Sequence, residues 1–263
     1  MSLAVIIPNY NNEKFIRKCL DSVLSQTYQP DEIIVVDDCS KDNSVEIIKE
    51  YEAKYPNVKG VYLQQNGGVS HARNTGILTA TSEYITTLDG DDFYFNNQKL
   101  ENEMKLLQEK GGNVLTYSKI VYCDEDDNII RYLDYKNSEY FEGNLFDLLL
   151  KEKITKTLMR DCCFPRQAVI DAGLYDEQSS LYEDYDLLIR LAKIIPFYCT
   201  FEYGTAYRQK NFGLSQRPIE ECIKAKETII KKYFSELSVM HLLRIKLYRS
   251  IRRFMVKLKK ILK

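Results

Sequence analysis

The chain has 263 residues, a formal net charge of −1, 29% charged residues, seven cysteines, 20 tyrosines and no tryptophan, enough for one large α/β domain, or a domain plus an appendage, with an ample core. The cysteines are odd in number, scattered, and form no CxxC pair or Cys/His cluster, which argues against a zinc site and for a reducing compartment. No stretch approaches the roughly 20 apolar residues that span a bilayer, and the short apolar start, stopped by Pro8, is unlike a signal peptide, so a cytosolic protein is expected.

The apolar run at residues 3–8 predicts a buried parallel strand that stops at Pro8, which has no amide to continue a central ladder. The polar loop Asn9-Tyr10-Asn11-Asn12 then caps a helix whose apolar positions Phe15, Ile16, Cys19, Leu20, Val23 and Leu24 recur at helical spacing. A second apolar run, 32–36, ends in Asp37 and Asp38, and a helix over 43–54 and a third strand over 58–63 follow. Repeated strand-then-helix order predicts a mostly parallel sheet with right-handed crossovers, whose ligands bind outside the carboxyl ends of the strands.

The next helix opens at Gly67-Gly68, where paired glycines let a backbone approach a ligand, and Arg73 inside it offers a planar fork of donors for phosphate or a base edge. An ordinary glycine loop with a surface arginine is the plainer reading of the same residues. Residues 84–93 carry the densest signal. A β-branched run ends in three carboxylates around one glycine, Asp89-Gly90-Asp91-Asp92, which folding alone does not require. These acids repel one another unless a cation sits among them, and a hard Mg²⁺ or Mn²⁺ takes oxygen ligands from one or two carboxylates and from substrate phosphates. Asp89, Asp91 and Asp92 are thus candidate metal-and-diphosphate ligands, with an acidic helix-capping turn as the alternative. No G-x-G-x-x-G follows the first strand and no G-x-x-x-x-G-K-[ST] occurs, which counts against a dinucleotide oxidoreductase and a P-loop ATPase.

Residues 97–110 predict a helix closed by Gly111-Gly112. Residues 113–122 and 129–135 predict two strands joined by the acidic turn Asp124-Glu125-Asp126-Asp127, read as a solvated hairpin loop. A short helix is expected over 143–151, and 155–164 carry no readable pattern. Cys162 and Cys163 read as structural, with a place lining the site as the alternative. Leu181, Leu187, Leu188, Leu191 and Ala192 form the apolar face of a helix starting near Tyr182. Glu183 and Asp184 then fall in its first turn, where the dipole and free amides favour carboxylates.

The charge is unevenly spread. All 38 acids precede His241 and nine of the 37 basic residues follow it, leaving 28 basic against 38 acidic residues in 1–240, a balance of −10. In the tail, Leu243, Leu247, Ile251, Phe254, Leu258 and Ile261 repeat at spacings of three and four. Arg244, Lys246, Arg249, Arg252, Arg253, Lys257, Lys259, Lys260 and Lys263 fill the other faces. This is the pattern of a helix lying on an anionic membrane through residues 243–263. Packing on the acidic body of the protein or an oligomer contact, and binding of nucleic acid, are the competing readings, and the absence of aromatic interleaving or a nucleic-acid module argues against the last.

Taken together these stretches resemble family 2 glycosyltransferases, the inverting group with the GT-A fold. The matching segments are Val5-Ile6-Ile7-Pro8-Asn9-Tyr10-Asn11, Val35-Val36-Asp37-Asp38-Cys39-Ser40, Asn66-Gly67-Gly68-Val69-Ser70-His71-Ala72-Arg73-Asn74, Leu88-Asp89-Gly90-Asp91-Asp92 and Glu183-Asp184-Tyr185-Asp186-Leu187-Leu188-Ile189-Arg190-Leu191-Ala192. The resemblance implies an α/β protein of GT-A type, with a mostly parallel central sheet flanked by helices. Residues 1–215 would form the catalytic domain, 1–112 its nucleotide-sugar half and 113–215 its acceptor half, and 216–263 a helical extension with a basic amphipathic tail.

It also implies roles. Pro8, Asn9 and Tyr10 would line the donor pocket, Tyr10 stacking on the base, Asp38 would accept a hydrogen bond from a uracil-like ring, and Arg73 would help hold the nucleotide. Asp89 and Asp91 would form the DxD element, with Asp91 or Asp92 contacting ribose and a Mn²⁺ or Mg²⁺ that helps the diphosphate leave. Asp184 would be the general base of an inverting transfer and Glu183 the second choice. Many relatives carry Tyr-Arg-x-His downstream, whereas Tyr207-Arg208-Gln209-Lys210 puts a lysine there. An ammonium cannot ligate a metal but can neutralise phosphate, so Lys210 is expected on the diphosphate. The implied reaction moves a sugar from a nucleotide-diphospho-sugar, UDP-linked, to a glycan or lipid-linked acceptor at the inner face of the cell membrane, in polysaccharide or cell-envelope synthesis. A non-catalytic nucleotide-sugar-binding or membrane-scaffold relative is the alternative. A sugar-phosphate nucleotidyltransferase is a further one, although it should carry a glycine-rich, arginine-containing loop that Asn9-Tyr10-Asn11-Asn12 lacks.

Overall fold

The structure, a computed structural model, describes residues 1–133, 140–152, 161–179, 181–210 and 217–261, with the chain beyond residue 250 described as helix only. The expected strand end at Tyr135, residues 155–160 of the unreadable stretch, and the side chains of Ile251, Phe254, Leu258 and Ile261 lie outside the described residues.

The first half alternates strand and helix: β1 (Leu3–Asn9), α1 (Ile16–Leu24), β2 (Glu32–Asp37), α2 (Ser44–Lys54), β3 (Val58–Tyr62), α3 (Val69–Thr79) and β4 (Tyr84–Thr87). The four strands are parallel, in the order β3-β2-β1-β4. Every residue of β1 is buried because both faces of the sheet are covered. Leu3, Val5 and Ile7 pack with Ile16 and Leu20 of α1 and Ile48 of α2, while Ala4 and Ile6 pack with Ala72 and Ile77 of α3. A strand covered on both faces reads as an unbroken apolar run.

Strand β1 does not stop at Pro8; it runs on to Asn9, with Pro8 opposite Val36 and Asn9 opposite Asp37. The Pro8 carbonyl accepts the Gly90 amide, so its ring nitrogen faces the same side, where β4 pairing has already ended at Ile6 opposite Thr87. No ladder donor is needed there, and the proline is harmless.

The second half adds β5 (Phe93–Tyr94), α4 (Lys99–Glu109), β6 (Leu115–Cys123), β7 (Ile129–Tyr132), α5 (Phe146–Leu150), β8 (Cys163–Pro165), α6 (Arg166–Asp171), α7 (Glu183–Leu191) and β9 (Phe197–Arg208). The sheet continues from β4 through β8, β6 and β9 to β5, with β7 on the flank of β6. Pairing here is mixed: β8 runs antiparallel to β4 and β6, β9 parallel to β6, and β5 antiparallel to β9. Helix α4 stops where Gly111 and Gly112 take φ of 87° and 83°, the left-handed exit that glycine adopts without a Cβ penalty.

Buried polar groups lock the two halves together. Lys99 and Glu103 of α4 are both buried, with Lys99 Nζ 3.0 Å from Glu103 Oε2. The ammonium also donates to the Asp161 carbonyl at 2.7 Å and Thr86 Oγ1 at 3.2 Å, and Ser118 Oγ donates to Glu103 at 2.6 Å. Burial opposes the charge on Lys99, but Glu103 outweighs it and the lysine's pKa is raised.

Helices α8 (Ile219–Lys231) and α9 (Val239–Ile261) follow. Asp186 of α7 ties the segment after α8 to the body: Tyr233 Oη donates to it at 3.0 Å and Lys232 Nζ lies 3.3 Å away. Helix α9 touches the body through buried Ile245, His241 Nε2 at 2.7 Å from Asp147, and Arg249 Nε at 3.5 Å from Glu152. Arg249, expected on the outer basic face, is instead buried against that acid, because positions 241, 245 and 249 fall on one side of the helix.

Candidate active site

Strand β4 delivers the acids to the sheet's carboxyl edge. After Leu88 the chain turns over the end of β1: the Gly90 amide donates to the Pro8 carbonyl at 3.1 Å, and the Asp92 amide donates to the Asp89 carbonyl at 2.9 Å. A Cβ at Gly90 would lie 2.9 Å from Asn9 Oδ1 and 3.1 Å from the Pro8 carbonyl oxygen, so the glycine of the acidic motif is a matter of space. One ligand oxygen from each of Asp89, Asp91 and Asp92 lies within 4.8 Å of the others. Three carboxylates at that spacing fit a hard divalent cation.

Three basic residues stand around this cluster. Arg73, 6% exposed, donates through Nη2 to Asp89 Oδ1 at 2.6 Å and through Nη1 to Glu183 Oε1 at 2.7 Å. Burial opposes its charge, yet Asp89, the Tyr175 ring 5.2 Å away and Glu183 outweigh it, and its pKa is raised. The lysine at 210 places Nζ 2.7 Å from Asp91 Oδ2. Arg208, buried, donates its amide to Asp92 Oδ1 at 2.7 Å and its Nε to the Asp91 carbonyl at 2.8 Å. The same guanidinium holds the carbonyls of Asp124 and Glu125 and pairs with Asp127. The acidic hairpin turn read as merely solvated is therefore hooked to the site through Arg208, a residue to which the sequence assigns no role.

Helix α7 enters from the other side. Tyr182 takes a left-handed φ of 62° at its N-cap, a strained turn for an aromatic residue, and Glu183 and Asp184 follow at once. Burial first, then the charge of Asp184, push the Glu183 carboxyl up, while Arg73 draws it back. Asn74 beside Arg73 fixes the approach to this helix: its Nδ2 donates to the Tyr175 carbonyl and to Glu177, and its Oδ1 accepts the Tyr175 amide. Asp184 lines a cleft with Arg73, Thr87, Asp161, Cys162 and Tyr175. Cys162 thus faces the site, while Cys163 points the other way against Met104.

The expected donor residues divide. Tyr10 is 46% exposed at the rim. Asn9 is buried, its Nδ2 donating to Asp37 at 2.8 Å. Asp38 is buried too, and its two oxygens accept the amides of Gly67 and Gly68 at 2.7 and 2.8 Å, so this carboxylate builds the glycine loop. Pro8 contributes its carbonyl to Gly90.

Residues 4–172 match the profile of Glycosyl transferase family 2. Glycosyltransferase GlyG of Streptococcus pneumoniae serotype 4 is 37% identical over 131 residues, 50% of this chain and 43% of GlyG. An uncharacterized glycosyltransferase of Haemophilus influenzae is 35% identical over 164 residues, 60% of this chain and 65% of that protein. The chain thus spans less than two thirds of the length of these relatives. S. aureus TarS 1–349, solved in complex with UDP-GlcNAc, shares the fold with a TM-score of 0.75 at 22% identity, over 97% of this chain and 73% of that one. The family profile covers more than half of the chain, and the chain belongs to glycosyl transferase family 2, with the GT-A fold.

Proposed function

We propose that the protein transfers one sugar, with inversion, from a UDP-linked donor to a hydroxyl of a glycan or lipid-linked acceptor. The observation that carries this reading is the two-pronged grip of Arg73, which joins the acids after β4 to the acids opening α7. Residues 1–112 would hold the donor, 113–215 the acceptor, and 216–263 form an extension. Tyr10 offers its exposed ring to the base, and Asp38 braces the glycine loop. The UDP preference rests on the ligand of TarS, a protein 22% identical.

Asp184 takes the proton from the acceptor hydroxyl as that oxygen bonds to the anomeric carbon. The bond from this carbon to the diphosphate oxygen breaks on the opposite face and the nucleoside diphosphate leaves. Glu183 is the weaker candidate for base because its carboxylate is already committed to Arg73. A divalent ion held by Asp89, Asp91 and Asp92 would supply charge neutralisation for the departing diphosphate, and Lys210 stands within reach of the same group.

Helix α9 supports a peripheral position at the inner face of the cell membrane. Leu243 and Leu247 are 56% and 63% exposed, with Val239 and Met240 beside them and exposed Arg244 and Lys246 flanking the stripe. Among the described residues no helix is long and apolar enough to cross a membrane, so this one would lie along it.

Melting temperature against a panel of nucleotide sugars, with and without Mn²⁺, tests the donor assignment, because a ligand of the folded state raises it. A metal-dependent rise with one UDP-sugar, lost in Asp91→Asn, is expected. No rise with any nucleotide sugar in folded protein would favour the non-catalytic scaffold.

A further inference from the structure

Lys210 lies just past the end of β9, and its ammonium is already seated on one of the three clustered acids. Nζ is 2.7 Å from Asp91 Oδ2 and 3.3 Å from Asn12 Oδ1, and it stands 4.6 Å over the Phe15 ring. Its side chain is 14% exposed against 31% for that of Asp91. A partly desolvated pair of this kind is screened less than a surface ion pair.

A divalent ion held by Asp91 would share with this ammonium the carboxylate on which it is seated. Like charges on one partly desolvated carboxylate repel, and a divalent ion doubles the repulsion that a monovalent one would meet. The two cations therefore compete for one carboxylate. The ammonium carries three donors on a flexible four-carbon stem, and a donor diphosphate bound at the same acids gives it a second anionic partner.

We propose that Lys210 is a resident counter-ion of Asp91 that passes to the donor diphosphate, so that divalent metal and nucleotide enter cooperatively. The proposal rests on the nucleotide-sugar reading above. Without nucleotide, an arriving metal must displace the ammonium from Asp91. With nucleotide bound, the displaced ammonium gains phosphate oxygens. By linkage, the nucleotide then raises metal affinity by the same factor by which the metal raises nucleotide affinity.

The test measures Mn²⁺ binding to the full chain by the loss of its free electron-paramagnetic-resonance signal, with and without UDP, alongside the UDP-induced rise in melting temperature. Lys210→Met is expected to bind Mn²⁺ alone at least tenfold more tightly than the unsubstituted protein and to lose most of the enhancement by UDP. Lys210→Arg keeps the charge and is expected to bind Mn²⁺ alone as weakly as the unsubstituted protein, which separates charge from packing. Unchanged Mn²⁺ affinity in Lys210→Met, with UDP still raising the melting temperature, overturns the counter-ion role and leaves the donor reading standing. No response to UDP in the unsubstituted protein overturns both.

Discussion

Arg73 Nη1 reaches Glu183 Oε1 at 2.7 Å across 110 positions of sequence, while its Nη2 holds Asp89. Nothing local in α3 or α7 requires this contact. It is the link between the parallel half of the sheet, which ends in the clustered acids, and the helix that carries Asp184. Arg73→Met would leave two carboxylates facing each other in a buried site. A loss of about 3–5 kcal/mol is expected, since breaking one side of a buried ion pair leaves uncompensated charge. Arg73→Lys retains a charge but no fork, and is expected to fold with a lower melting temperature and to lose far more in kcat than in donor KM. Equal losses in both would instead make Arg73 a plain donor-binding residue.

Glu183 and Asp184 are set against each other in the first turn of α7. Burial and the neighbouring aspartate raise the Glu183 pKa above its ordinary value of 4.5, so the fold binds that proton more tightly than the unfolded chain does. Its stabilising contribution is complete below 4.5 and is lost as pH rises through the raised value. Asp184→Asn removes one cause of the shift. The variant is expected to lose transferase activity yet melt roughly 2–4 °C higher at pH 8, corresponding to about 1 kcal/mol in a chain of this size. The gain should vanish below pH 4.5. Melting curves across pH check it, and a gain independent of pH would mean that repulsion is not the cause.

Gly90 is held by space. A methyl group there meets the Pro8 carbonyl and Asn9 Oδ1, and both belong to β1, which is buried along its whole length and cannot retreat. Gly90→Ala is expected to cost about 1–3 kcal/mol by overpacking and to push Asp89 and Asp91 away from their basic partners. Loss of the UDP-dependent rise in melting temperature in a protein that still shows a native near-ultraviolet spectrum would confirm the displacement.

The sequence announces the parallel half of this fold clearly, because strands covered on both faces are unbroken apolar runs and each ends in a loop that carries chemistry. The second half is quieter for physical reasons. Strands β5 and β8 are two and three residues long, too short for any period to show. The longest strand, β9, carries a left-handed Phe201 and shifts register against β6, which breaks its alternation. Lys99 and Glu103 show the same limit in a helix: an i, i+4 Lys/Glu pair is the signature of a solvated helix face, and here it is the buried lock between α4, β6 and the chain before β8. Arg208 falls in the Tyr207-Arg208-Gln209-Lys210 segment, but its role is not legible there because its partners are mostly backbone carbonyls, which leave no mark on residue type.

That lock makes a prediction of its own. Lys99→Met leaves Glu103 buried with one hydroxyl donor, Ser118, and should destabilise by about 3–5 kcal/mol. Adding Glu103→Leu removes the stranded carboxylate, and the double variant is expected to regain most of the loss, since apolar replacement of a whole buried pair is often close to neutral. Denaturant unfolding of the two single variants and the double variant measures the coupling. Additive losses would show that Lys99 and Glu103 contribute independently.

Helix α9 presents two apolar faces, one spent and one open. Ile245 is fully buried against the body, yet Leu243 and Leu247, one turn apart, are more than half exposed. On the reading proposed above, this open stripe is the one that faces the membrane. Burying each leucine in an acyl boundary is worth about 1.5–3 kcal/mol, and the neighbouring arginine and lysine add roughly 1 kcal/mol each near an anionic surface. Leu243→Glu with Leu247→Glu is therefore expected to reduce co-sedimentation with anionic vesicles by more than tenfold while leaving the melting temperature within a degree or two. The unsubstituted protein should bind such vesicles more weakly as salt rises and bind neutral ones poorly. Retained vesicle binding in the double variant would assign attachment to some other surface, and a large fall in melting temperature would show that the stripe is covered by the protein itself.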